Sequence, residues 1–313
     1  MAVVPAAAAG TAGKGGAGSV KRYLFPLLYG LVLVGFTLYL ALDTFVIARV
    51  YESADAPARQ QPALQPTSAP AAITADSYTD ASIAIRITEY RENDTTIYVA
   101  DVTLASPALL RTAFAEGSYG RNVTRKTSET AADVGAILAI NGDFYGSRER
   151  GYVARNGVLY RSISNGAEAL AIMADGSFSI AEENERSAES LMEQGAAHIF
   201  SFGPALVVDG EIAVTPQDEV GKAMADNPRT AIGVYEPGHY VLLVSDGRTR
   251  ESEGLTLFEL ASFMQGLGLQ TAYNLDGGGS STMVFMGEVV NNPTTNGRRI
   301  TERSVSDIVY VAY

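Results

Sequence analysis

Twenty consecutive residues without a charge, Tyr23 to Leu42, divide this chain before any other feature does. At about 1.5 Å per residue they make a helix long enough for the roughly 30 Å hydrocarbon core of a bilayer. A helix buried in a soluble core would carry a polar stripe, and this run has none. A cleavable leader is the other reading, but its apolar stretch is typically about 7–15 residues long and no convincing small-residue cleavage site follows. An uncleaved anchor over 23–48 is therefore expected. Lys14, Lys21 and Arg22 precede it and no acid occurs before Asp43. By the positive-inside rule the N-terminus is cytoplasmic and the remaining chain is extracytoplasmic, in a single-pass cell-membrane arrangement.

The flanks follow from composition. Residues 1–22, rich in Ala and Gly, read as a disordered tail. Residues 49–77 hold Pro57, Pro62, Pro66 and Pro70 among Ala, Gln and Ser, and read as an extended linker. From Tyr78 to the end, apolar runs alternate with Gly, Asn-Gly and Asp-Gly, enough chain for one large domain. The expected class is α+β: one β-rich, mixed-sheet catalytic domain with a few helices, preceded by the transmembrane helix and the Pro-rich stalk.

Local signals support that class. Ser82–Ile87 and Thr96–Leu104 flank Glu92-Asn93-Asp94 as a hairpin, Arg155-Asn156-Gly157-Val158 reads as a type I′ turn, and Asp175-Gly176 separates two further strands. Two helices are expected. One covers Thr127–Val134 with Ser128 as its cap; the other covers Thr256–Gly266, with Thr256 and Glu259 in capping-box spacing.

What is absent narrows the chemistry. The chain has no cysteine and two histidines, so thiolate catalysis, disulfides and Cys-ligated metals are excluded. His198 and His239 form no zincin pattern and sit near no nucleophile elbow. The net charge is -12, and the chain beyond residue 76 carries 18 basic against 31 acidic residues, which argues against nucleic acid as a partner. Carboxylates, amides, hydroxyls, arginines and backbone amides remain.

Four segments present such groups at the ends of strand-like runs. Taken alone, Asn141-Gly142-Asp143 and Ser245-Asp246-Gly247-Arg248 read first as ordinary turns, and Asn227-Pro228-Arg229-Thr230 reads equally well as an anion-binding fork or a surface arginine at the mouth of a strand. Asn274-Leu275-Asp276-Gly277-Gly278-Gly279-Ser280-Ser281-Thr282 is more specific. Its three glycines leave backbone amides unshielded for an anionic oxygen, two serines follow, and Asp276 heads the loop. It lacks the lysine of a phosphate-binding P-loop and leads into a strand.

The blocks AINGDFY, GYVARNG, FGPALVVDG, NPRTAIG, VSDGRTRESEGLTLFELASFMQGLG and NLDGGGSSTMV, in this order, closely resemble the phosphodiester glycosidase family. That family includes N-acetylglucosamine-1-phosphodiester α-N-acetylglucosaminidase and bacterial members linked to exopolysaccharide biosynthesis. The resemblance covers nearly all of 78–313 and implies hydrolysis of a sugar joined through its anomeric carbon to a phosphodiester. It implies Asp276, Asp143 and Arg229 as catalytic residues. Asn141, Asp246, Arg248, Gly277, Gly278, Gly279, Ser280 and Ser281 are then expected to bind substrate. The sequence requires no cofactor, but Asp143, Asp246 and Asp276 could converge on a divalent cation. The expected partners are a glycan or sugar-phosphate substrate and the membrane. A non-catalytic glycan-binding domain and a glycosyl-phosphate transferase in polysaccharide assembly stay open as alternatives.

Overall fold

The computed structural model describes residues 17–51, 71–218 and 226–313, with side chains from residue 23 onward. Residues 1–16 of the expected tail and 52–70 of the expected linker lie outside the described residues. The chain divides into an N-terminal unit ending at Ile47 and a second unit from Ala48 to Tyr313.

The first unit is helix α1, Ala17–Phe45, which starts six residues before the expected anchor. Its segment Tyr23–Phe45 has a mean hydropathy of 2.0 and none of it is buried against protein. By length and composition it is the one helix among the described residues able to cross a membrane.

The second unit begins earlier than expected. Arg49–Val50 pairs antiparallel with Gly120–Arg121, and Ala72–Ile73 pairs with Ser77–Thr79. Both ends of segment 52–70 are thus fastened to the same unit. Composition, which is poor in core-forming residues here, reveals no such edge pairing because the pairing uses main-chain groups.

Three larger sheets form the framework, and every pairing described is antiparallel, as hairpin connections allow. A nine-stranded sheet is centred on Thr230–Glu236, His239–Ser245 and Thr95–Leu104. One five-stranded sheet contains Val153–Arg155, Ala196–Phe200 and Glu168–Met173; the other contains Met283–Phe285, Leu138–Asn141 and Asp307–Val311.

The strand Thr95–Leu104 shows why the large sheet is buried on both faces. Tyr98, Ala100, Val102 and Leu104 point into a core shared with Leu138, Ile140, Leu170 and Phe200 of the five-stranded sheets. Ile97 and Val99, one residue out of phase, point the other way onto Leu257, Leu260, Ala261 and Met264. The hairpin turn behaves as read from sequence: Asn93 and Asp94 adopt φ of 47° and 50°. Asn156 and Gly157 do the same at 52° and 78°.

Three short helices complete the unit. Helix α2, Thr127–Asp133, is capped at Lys126 without a side-chain bond, not at Ser128. Ser128 instead donates its hydroxyl (2.5 Å) and amide (3.0 Å) to Glu302, which holds the helix start to the segment before the last strand. Helix α3, Ala188–Glu193, was not anticipated; six residues give too little periodicity to detect. Helix α4, Leu257–Gly266, has the complete capping box, Thr256 with Glu259. Thr256→Ala should therefore cost about 1 kcal/mol in chemical denaturation, and a loss within error of zero would show that tertiary packing alone holds the helix.

Candidate active site

The segments singled out by sequence meet where the nine-stranded sheet abuts the Leu138–Asn141 sheet. Leu138–Asn141 ends in Gly142-Asp143, Thr271–Asn274 leads to Asp276, Arg229 precedes Thr230–Glu236, and Asp246 follows His239–Ser245. Between them opens a cleft of about 260 Å³. Five of the expected residues line it: Asp276, Arg229, Arg248, Gly277 and Gly278.

Asn141 does not line the cleft; it is fully buried and clamps the two sheets together. Its Oδ1 accepts from Thr230 Oγ1 (2.8 Å) and the Thr282 amide (3.1 Å), and its Nδ2 donates to the Asp276 carbonyl. The Asp276 amide in turn donates to the Gly142 carbonyl at 3.1 Å. An amide side chain suits this place because it donates and accepts at once.

Asp143 lies behind the cleft wall. Its Oδ1 accepts from the Phe144 amide (2.6 Å) and its Oδ2 from the Ser201 amide (2.9 Å). Phe144 and Phe202, carried on these two segments, do line the cleft. Behind Asp143 is a buried charge network. Arg155 Nε donates to Asp307 Oδ2 at 2.7 Å, its Nη2 is 3.9 Å from Asp143 Oδ2, and Asp307 Oδ1 accepts from the Asp143 amide at 2.7 Å. Burial, reinforced by Asp143 and opposed by Arg155, pushes the Asp307 carboxyl up to about 6.

Asp246 is likewise withdrawn. Its carboxylate is taken by the Asn292 amide and side chain, by Asn291 and by Tyr98, so it anchors segment 291–292 to the sheet end. The expected convergence of Asp143, Asp246 and Asp276 on a cation does not occur. Among the described residues no group of three or more such side chains could hold a metal ion.

The glycine loop works differently from the sequence reading. The Gly278 amide donates to the Pro228 carbonyl at 2.7 Å and so does not face a ligand. Gly278 has φ +63°, and a Cβ there would lie 2.9 Å from Arg248 Nη2. A Cβ on Gly277 would meet the Pro228 carbonyl at 2.9 Å, and one on Gly279 would meet Thr295 Oγ1 at 2.4 Å. The glycines let Arg248 and neighbouring backbone approach the loop closely. Ser281 is buried beneath it, its Oγ accepting from Thr230 at 3.2 Å. Ser280, also buried, donates to Asp276 Oδ2 at 2.6 Å.

Arg303, Arg148, Phe144, Phe202, Asn227 and Asn274 line the cleft without having been singled out as site residues. Phe144, Phe202, Asn227 and Asn274 stood inside quoted sequence blocks and so carried a signal. Arg303 had none. Its Nη2 lies 3.1 Å from Asp276 Oδ2 and it donates through Nε to Ser280 Oγ at 2.9 Å. Arg248 donates to Asn227 Oδ1 and the Thr295 carbonyl. Arg229 donates through Nε to the Leu255 carbonyl at 2.7 Å. Arg148 lies over the Phe202 ring, 5.0 Å from its centroid.

Among the described residues, four guanidinium groups and one carboxylate therefore border the cleft. Burial and then Arg303 lower the pKa of Arg248. For Asp276 burial dominates and raises the carboxyl above its ordinary value, against the opposing pull of Arg303 and Ser280. Asn274 donates through Nδ2 to the Gly203 carbonyl at 2.8 Å. Its Oδ1 is buried and has no hydrogen-bond partner among the described residues. Neither histidine takes part: His198 is buried elsewhere, its pKa depressed to about 3 by burial and Arg155, and His239 pairs with Asp101.

The SPbeta prophage-derived uncharacterized protein YomE of Bacillus subtilis is 31% identical over 184 residues, covering 57% of this chain and 28% of that protein. The N-acetylglucosamine-1-phosphodiester alpha-N-acetylglucosaminidase of Mus musculus is 42% identical over 66 residues, 21% of this chain and 13% of the mouse protein. The chain thus spans less than a third of the length of these relatives. In fold it is similar to the zebrafish catalytic domain of the latter enzyme, auto-inhibited by its pro-peptide. The TM-score is 0.58 at 21% identity, covering 74% of this chain and 83% of that one. A hypothetical protein from Synechocystis is similar at a TM-score of 0.57, 17% identity, and coverage of 74% and 62%. The sequence profile of the phosphodiester glycosidase family matches residues 134–312, more than half of the chain, and takes in Asn141, Asp143, Arg229, Arg248, Asp276 and Arg303. The chain belongs to the phosphodiester glycosidase family.

Proposed function

We propose that the chain is a membrane-anchored hydrolase that cleaves the sugar–phosphate bond of glycosyl 1-phosphodiesters in cell-envelope or exopolysaccharide glycans, its cleft on the extracytoplasmic side. The observation that carries this reading is the cleft's composition among the described residues: Arg148, Arg229, Arg248 and Arg303 around the buried carboxylate of Asp276. Family membership supplies the substrate class, and α1 with its basic N-terminal flank supports the anchor.

The reaction follows from these groups. Water attacks the anomeric carbon, the bond from that carbon to the phosphate oxygen breaks, and the departing phosphate monoester keeps the electron pair. The guanidinium groups stabilise that charge inside a low-dielectric cleft. Asp276, with its pKa raised by burial, accepts the proton from the attacking water and stabilises positive charge building on the sugar ring. Phe144 and Phe202, which line the cleft, bound the sugar ring. An anomeric phosphate leaves readily, so a second acid in the cleft is not needed, in keeping with Asp143 lying behind the wall as a positioning residue.

The test is release of free sugar from methyl N-acetylglucosamine-1-phosphodiester by the full chain in detergent. No release from this or from other hexose-1-phosphodiesters would instead leave the glycan-binding alternative. Arg303→Ala should lower kcat/KM by about 100-fold. Arg303 also holds the Asp276 pKa down, so its removal should move the acid limb of the pH profile upward. An unmoved limb would place Arg303 outside the catalytic pair.

A further inference from the structure

Beside the cleft, and sharing Arg148 with it, lies a second cavity of about 200 Å³ bordered by Tyr51, Tyr119, Tyr145, Arg121, Glu149 and Arg161. The chemistry proposed above uses none of these six side chains. Tyr51, Tyr119 and Arg121 precede the region matched to the family, whereas Tyr145, Glu149 and Arg161 lie within it.

The cavity is built rather than incidental. Arg161 donates to the carbonyl oxygens of Gly151 (2.6 Å), Tyr145 (3.1 Å) and Arg148 (2.5 Å), which pins the loop forming one wall. Tyr119 stacks on Tyr145 with ring centroids 5.2 Å apart and planes 22° apart. Tyr51 stands opposite, its ring centroid 6.0 Å from that of Tyr119, and is 46% exposed. Its backbone is fixed independently of its ring: the amide donates to the Tyr119 carbonyl at 2.9 Å, and the preceding Arg49–Val50 pairs with Gly120–Arg121. Arg121 and Glu149 form an ion pair at 3.2 Å along the same border.

An exposed phenol ring beside a planar cation and a carboxylate matches the needs of a pyranose. The ring covers the apolar C–H face of the sugar, and the charged groups donate to and accept from its hydroxyls. Three arginines and one glutamate, counting the shared Arg148, also make the border of this cavity favourable to a negative charge. A phosphodiester seated against Arg148 would place its glycosyl side in the cleft and its other side in this cavity.

We propose that the Tyr51 cavity is a sugar-binding subsite that takes the portion of the substrate beyond the phosphate. This rests on the glycosyl-phosphodiester reading of the adjoining cleft. It makes the substrate a phosphodiester whose leaving side is itself a glycan. It also makes the residues directly following α1 determinants of specificity.

Isothermal titration of the full chain in detergent tests this with two probes: N-acetylglucosamine-1-phosphate, and the same sugar phosphate esterified to a second hexose. Tyr51→Ala should weaken binding of the two-sugar diester by about five- to ten-fold and leave the monosaccharide phosphate unchanged, with Tyr51→Phe close to wild type. Because Tyr51 is held by main-chain bonds and its ring is exposed, the variant should fold. Equal loss for both probes, no loss for either, or no binding of the diester by the intact chain would overturn the subsite. Turnover of the methyl diester decides the hydrolase reading separately. Turnover with binding indifferent to Tyr51 would remove only the subsite, and Tyr51-dependent diester binding without turnover would remove only the hydrolase.

Discussion

Asp276→Asn is expected to lower kcat by about a thousand-fold or more while leaving the unfolding midpoint close to that of the parent chain. Among the described residues lining the cleft, the carboxylate is the single acid. Asparagine keeps the shape and can still accept from Ser280, whose hydroxyl lies 2.6 Å from the present Oδ2. The ion pair lost is with Arg303, a side chain 39% exposed, so its contribution to stability is small. The removed charge is also one that burial disfavours. Sugar release and thermal unfolding on the same preparation check both halves of the expectation. Sugar release by the variant at the parent rate would remove Asp276 from the mechanism.

Arg155→Ala should be the most destabilising of the substitutions considered, by about 3–5 kcal/mol near neutral pH. Arg155 is 1% exposed and stands between Asp307 and Asp143, both buried. Removing it strands two carboxylates without their cation. It also removes its bonds to the Ala154 and Ile199 carbonyls and its stacking on Phe200.

The pH dependence gives this prediction a sign. Asp307 has a folded-state pKa of about 6, above the ordinary 3.8, so the folded chain holds this proton more tightly than the unfolded chain does. The stabilisation from that proton is present below about 4 and is lost as pH rises through 6. Arg155 is what holds the value down, so its removal raises it further and deepens the loss above pH 6. Urea denaturation should therefore show a larger deficit for Arg155→Ala at pH 8 than at pH 5. The double variant Arg155→Met, Asp307→Asn should recover part of it. A deficit independent of pH would mean that lost packing, not stranded charge, sets the cost.

The unequal readability of the site has a physical pattern. Asn93-Asp94 and Asn156-Gly157 could be read as hairpin turns because positive φ is a local demand on particular residue types. The capping box of α4 is local in the same way. Asp276, Arg229 and Arg248 were legible as site residues because each follows or precedes an apolar strand, and strand ends are where side chains emerge from a sheet. The same rule selected Asn141, Asp143 and Asp246, which turn inward instead. Nothing in a strand-end motif tells whether a carboxylate will be consumed by amides such as those of Phe144, Ser201 and Asn292. Arg303 shows the converse. It reaches Asp276 because Asp307–Val311 pairs with Leu138–Asn141, a long-range register that its own neighbours do not encode.

By itself the sequence determined the apolar helix, the β-rich domain, the family and the kinds of groups left for chemistry in a chain with no cysteine and two histidines. The family rests on the resemblance of six sequence blocks; the others rest on periodicity, turn chemistry and composition, all of which act over a few residues. The tertiary structure alone decided that the glycines admit Arg248 rather than a ligand's oxygen and that, among the described residues, four guanidinium groups gather about the Asp276 carboxylate. It also showed that the residues after α1 complete a second cavity. Those outcomes depend on which buried donors and acceptors satisfy one another across sheets, and that matching exists only once distant strands have paired.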